Sequence, residues 1–142
     1  MKFSSVYVTA SSRAEALVIG KALVAERLAA CANVWDGVAS VYRWQGKIVE
    51  DAEAVLIIKT RARLVGRVIA RIKALHSYSV PCIVEWPIGA ANPDYTRWIA
   101  AETQTSRGPL PLAPRAALPL RRRGRSWSGG IRVSHQRNDP CA

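Results

Sequence analysis

Among the side chains with the soft donors that a transition metal seeks, Cys31, Cys82 and His76 are the first candidates. Thiolate and imidazole are preferred ligands of copper and other soft or borderline cations, so these residues form the candidate metal set. Each also has a plain structural reading. Cys31 falls at the end of an apolar, helix-patterned run, where a cysteine serves as a small hydrophobe. His76 follows the last turn of a second helical run, where an imidazole can meet unsatisfied carbonyls and the negative end of the helix dipole. Cys82 lies beyond it in a strand-like run, whose alternation can turn it towards a ligand or into the core.

Aromatic rings form the second set. They fall in three blocks, Tyr42-Arg43-Trp44-Gln45-Gly46-Lys47, His76-Ser77-Tyr78-Ser79-Val80-Pro81 and Asn92-Pro93-Asp94-Tyr95-Thr96-Arg97-Trp98. Each block sets rings beside turn-forming residues, at joints where elements should end. Small domains meet partners at such joints, so Tyr42, Trp44, Tyr78, Tyr95 and Trp98 are candidate ligand-binding or interface residues. Core packing explains any one of them equally well. Glu53 and Lys59 join the set because both lie in an apolar arm, where a buried charge requires a partner.

Catalytic signatures are missing from the sequence. There is no Gly-x-Ser-x-Gly elbow, no Gly-rich phosphate loop with lysine and no His-Glu-x-x-His helix. Paired carboxylates are confined to Glu50, Asp51 and Glu53, and adjacent acids on an exposed hairpin are ordinarily solvated. The expectation is a non-enzymatic protein without an organic cofactor.

The elements that must position these residues come next. A chain of 142 residues that is 49% apolar can hold one compact domain. Its three cysteines form neither a CxxC pair nor an even disulfide set, which suits a reducing cytosol, and no run is long enough for a signal peptide or a membrane span. A soluble, cytoplasmic protein is expected. The formal charge of +11 is uneven: residues 1–103 hold 13 Lys and Arg against 9 Asp and Glu, and residues 104–142 hold 8 against 1. Prolines 109, 111, 114 and 119 exclude a regular helix there, so 104–142 reads as a mostly disordered tail in which Leu110, Leu112, Leu118 and Leu120 can dock locally. Its Arg121-Arg122-Arg123-Gly124-Arg125-Ser126-Trp127 run is suited to nonspecific nucleic-acid attraction only.

Within 1–103, Val6–Thr9 reads as a strand, and Ser12-x-x-Glu15 as a capping box opening a helix to about Ala30 with an apolar stripe at 17, 20, 24 and 28. Ala32–Tyr42 and Lys47–Thr60 form a long hairpin about Gln45-Gly46, with a bulge at Gly37. Its second arm is apolar on both faces and requires two covers, one of which a neighbouring subunit can supply. Leu64, Val65, Val68, Ile69, Ile72 and Leu75 mark a second helix with its arginines in solvent. Pro81–Pro87 reads as a strand, and Pro93 opens a short helix. The order βαββαβ plus a closing helix is the split arrangement of an α+β, ferredoxin-like sandwich.

With Val6-Tyr7-Val8-Thr9-Ala10 and Glu26-Arg27-Leu28-Ala29-Ala30-Cys31-Ala32-Asn33, the three aromatic blocks resemble the CutA family of divalent-cation tolerance proteins over roughly residues 3–103. The resemblance implies a tight homotrimer assembled through long hairpins, with clefts between subunits similar to those of PII-type small-molecule sensors. It also implies a link to copper or another divalent cation, or to a small anionic ligand. In some members copper ligands are assigned to a first-strand cysteine and a histidine pair before a Tyr-x-x-Pro motif. Here Val8 stands at the cysteine position and Leu75-His76 at the pair, so His76 alone carries over. Ser77 replaces a common proline and Cys82 a common glutamate, which leaves Cys82 as a replacement donor.

Overall fold

The computed structural model describes residues 1–103. The readings of 104–142, with its docking leucines and arginine run, lie outside the described residues. The first strand, β1 (Phe3–Ala10), alternates as the sequence does, burying Ser4, Val6, Val8 and Ala10 on one face. Helix α1 (Arg13–Ala25) starts at Ser12, whose Oγ accepts from Glu15 N at 3.1 Å. The Glu15 carboxylate returns to Ser11 N at 3.1 Å, completing the cap one residue early.

α1 stops five residues before the expected Ala30. Arg27 adopts a left-handed φ of 58°, Leu28 N–H bonds back to Leu23 O at 3.0 Å and Arg27 N–H to Val24 O at 3.1 Å. This is a Schellman stop with arginine where glycine is usual. Tertiary contacts offset the strain, because Arg27 Nε donates to Glu102 O and its Nη2 to Ala101 O, both at 3.2 Å. Cys31 therefore begins a strand and does not end a helix. The buried stripe of α1 is Ala16, Ile19, Gly20 and Leu23, displaced from the expected one. Gly20 sets the depth of packing: a Cβ there would meet Ala32 Cβ at 2.9 Å and Leu56 Cδ1 at 3.3 Å.

Strands β2 (Cys31–Trp44) and β3 (Lys47–Arg61) form the long hairpin. Gln45 and Gly46 take φ of 48° and 78°, the paired positive values whose twist matches the strands of a tight hairpin. A register shift between Trp35 and Val38, with Gly37 at φ +74°, is the expected bulge. A short 3-10 turn leads into α2 (Val65–Leu75), and β4 (Ile83–Ile88) and α3 (Pro93–Glu102) follow. The sheet order is β2-β3-β1-β4, every pair antiparallel. Among the described residues no helix is long and apolar enough to cross a membrane.

The core lies between one sheet face and the two long helices: Val6, Val8, Leu56 and Ile58 pack with Ile19, Leu23, Val68 and Ile72. The other face carries Tyr7, Thr9, Val55, Ile57 and Lys59, joined across β2 by Asn33 and Trp35. Past the bulge the phase of β2 inverts, so Val38 and Tyr42 take the places opposite Glu53 and Val49. β1 ends opposite Ala54. The hairpin therefore projects beyond it as a two-stranded ribbon, on which Val41 is 67% and Ile48 72% exposed. The expectation that the whole second arm needs outside cover holds only in part. Val55 is buried within the single chain, Ile57 is half-buried, and Ile48 is bare.

Candidate functional site

Two polar clusters lie at different places along the sheet. In the first, the α2–β4 connection carries His76 and Tyr78 against β1 and β3. His76 Nδ1 accepts from Tyr78 N at 3.1 Å, which leaves its protonated Nε2 to donate to the Thr9 carbonyl at 2.7 Å. Its side chain is fully buried, 3.9 Å from a Glu15 carboxylate oxygen. Tyr78 Oη donates to Glu53 Oε2 at 3.1 Å. Burial, followed by the Glu53 charge and hydrogen bond, pushes the Tyr78 phenol far above its ordinary range. Glu53 Oε1 and Thr9 Oγ1 are buried without a hydrogen-bond partner among the described residues. Burial raises the Glu15 pKa, but hydrogen bonds from Ser77 and Ser11 and the nearby His76 outweigh it and hold the carboxyl below its usual value.

The second cluster joins β2, β3 and α3. Cys31 Sγ lies 3.3 Å from Tyr95 Oη, Tyr95 stacks on Trp98 at 5.6 Å between centroids, and Lys59 Nζ donates to Asn33 Oδ1. Burial first, and the Cys31 contact second, push the Tyr95 phenol up to about 12. Lys59 is half-exposed, so of the two charges expected to be buried only Glu53 is. Tyr42 and Trp44 join neither cluster; both are half-buried near the ribbon tip.

The candidate metal set is not assembled. Cys31 pairs with Lys59, which pairs with Ser5, whereas His76 binds Thr9, four residues or about 13 Å further along β1. Cys82 is half-buried just before β4. The described residues contain no group of three His, Cys, Asp or Glu able to hold a metal, and both His76 ring nitrogens are engaged. The donors among the described residues of one chain therefore do not assemble into a transition-metal centre.

Sequence reasoning passed over an aromatic surface on the uncovered sheet face. Tyr7 stacks on Trp86 with centroids 4.9 Å apart, and Trp35, Val84 and Trp86 are each about 45% exposed. Period-two alternation in β1 and β4 was the available signal, since it puts Tyr7, Val84 and Trp86 on one side. Glu15, a cap by its spacing from Ser12, is also a neighbour of His76, which local spacing does not reveal.

A family described as CutA1 divalent ion tolerance protein matches residues 4–102. The chain belongs to this family. It is 47% identical over 98 residues to the divalent-cation tolerance protein CutA of Thermus thermophilus, covering 69% of this chain and 95% of that one. It is 40% identical to the chloroplastic CutA 1 of Oryza sativa, covering 71% of this chain but only 57% of that longer protein. The crystal structure of Oryza sativa CutA1 superposes with a TM-score of 0.72 at 38% identity, over 75% of this chain and 97% of that one. The Thermus thermophilus structure gives 0.70 at 45% identity, over 72% and 99%. The fold is thus the ferredoxin-like fold of the CutA1 proteins, as the element order implied.

Proposed function

We propose that this divalent-cation tolerance protein acts without catalysis, as a homotrimer that binds a metal ion or small ligand in clefts between its copies. The observation that carries this reading is the uncovered sheet face. Tyr7, Trp35, Val84 and Trp86 form an apolar surface beside a ribbon of only two strands, and both features call for cover. A second copy of the same chain covers like with like, and the threefold count follows the CutA resemblance. A copper or other divalent-cation site then draws donors from more than one copy, because the described residues of one chain contain no sufficient set.

Light scattering on the full chain tests the assembly, and a stable monomer at micromolar concentration overturns it. Copper titration by calorimetry on the wild type and His76→Ala tests the donor: unchanged affinity removes His76 from the ligand set. The half-exposed Lys59 at the edge of the uncovered face favours a second reading, a PII-like sensor of a small anion. Loss of anion binding on Lys59→Met, with the assembly intact, distinguishes it.

A further inference from the structure

A groove on the helix-covered side lies apart from the His76–Tyr78 cluster and meets the second cluster only at Cys31. Leu17, Gly20, Lys21, Val24, Ala32 and Val34 line its walls, between the outer stripe of α1 and the first residues of β2, and it offers about 440 Å³ of space open to solvent. Its origin lies in the pattern of α1. One stripe, Ala16, Ile19, Gly20 and Leu23, fills the core, while Leu17 and Val24 face the groove as a second apolar stripe. The close approach at Gly20 brings the helix down on Ala32 and Leu56 and so forms the floor. β2 is an edge strand, which leaves the groove open on one side.

Lys21 is the one charged side chain in this lining. It is exposed and makes no hydrogen bond or ion pair among the described residues. An apolar trough of ligand-pocket size with a single unpaired ammonium at its rim is complementary to a molecule with an apolar body and one anionic end.

We propose that the α1–β2 groove binds an amphiphilic carboxylate, its alkyl or aryl body lying along Leu17, Val24 and Val34 and its carboxylate meeting Lys21. The lysine contributes as an exposed ion pair, and the body contributes by leaving water. Affinity therefore depends mainly on chain length and secondarily on charge. This proposal does not rest on the trimer or on the metal reading.

The test titrates the full chain with straight-chain carboxylates from hexanoate to dodecanoate, followed by calorimetry and by the methyl NMR signals of Leu17, Val24 and Val34. Affinity is expected to rise about two- to fourfold per added methylene until the groove is filled. Lys21→Met is expected to weaken carboxylate binding by up to about fivefold and to leave binding of the matching alcohol unchanged. Equal loss for carboxylate and alcohol, or no dependence on chain length, overturns the proposal. Shifts at Val84 instead of Val24 place the amphiphile on the uncovered sheet face and overturn it too. If contacts between copies fall on Leu17 and Val24 before any carboxylate is added, a second copy fills the groove and the proposal fails.

Discussion

The two faces of the sheet are built from the same kinds of residue and meet opposite fates. Along β3, Ala54, Leu56 and Ile58 lose all contact with water under α1 and α2. On the reverse side, Val55 is buried beside the Tyr78–Glu53 hydrogen bond, but Ile57 is half-covered and Trp35, Val84 and Trp86 are left bare. Apolar pattern alone therefore marks both a core and an exposed surface. Whether a helix of the same chain lies over it makes the difference.

Breaking the covered face should have the largest effect. Leu56→Ala leaves a cavity among Val8, Ile19 and Leu23 and should cost about 2–5 kcal/mol in urea unfolding. A loss below about 1 kcal/mol would mean that the core is not packed as described. Trp86→Asp on the uncovered face should do the reverse. It should raise the dissociation constant of the proposed homotrimer by about thirtyfold, as loss of an interface aromatic does, while each chain stays folded by circular dichroism.

Tyr78 lies on the reverse side, bonded to Glu53. Its replacement by phenylalanine strands the buried Glu53 carboxylate and should cost about 1–3 kcal/mol, although the removed hydroxyl is a single atom. An unchanged unfolding midpoint would show that Glu53 finds another donor.

The smallest effect concerns pH. Glu15 has a folded-state pKa below its ordinary 4.5, so the folded chain favours the charged carboxylate. Its stabilising contribution is full above 4.5 and disappears as pH falls through the lower folded value. Glu15→Gln should flatten the fall in melting temperature over that acidic range. A mutant curve parallel to the wild type would remove Glu15 from the pH dependence.

Much of the fold was legible in the residues because local chemistry dictates it. Ser12 and Glu15 start α1 by satisfying free backbone donors, Gln45-Gly46 turns the hairpin with two positive φ values, and Gly37 permits the bulge. The end of α1 was not legible. No glycine marks it, and Arg27 holds a left-handed backbone because it clamps the C-terminal carbonyls of α3, some 75 positions away. The candidate site divided in the same way: the Tyr78–Glu53 pair answers the demand of a buried charge, whereas Cys31 and His76 sit at different ends of β1.

Sequence by itself determined the element order, the turns and which strands are greasy on both sides, because those follow from side-chain periodicity and backbone sterics over a few residues. Tertiary structure alone decided which greasy side is covered, that both His76 nitrogens are already engaged, and that α1 presents a second stripe over an open groove. Those outcomes depend on where helices cross the sheet, and packing between distant segments sets that crossing.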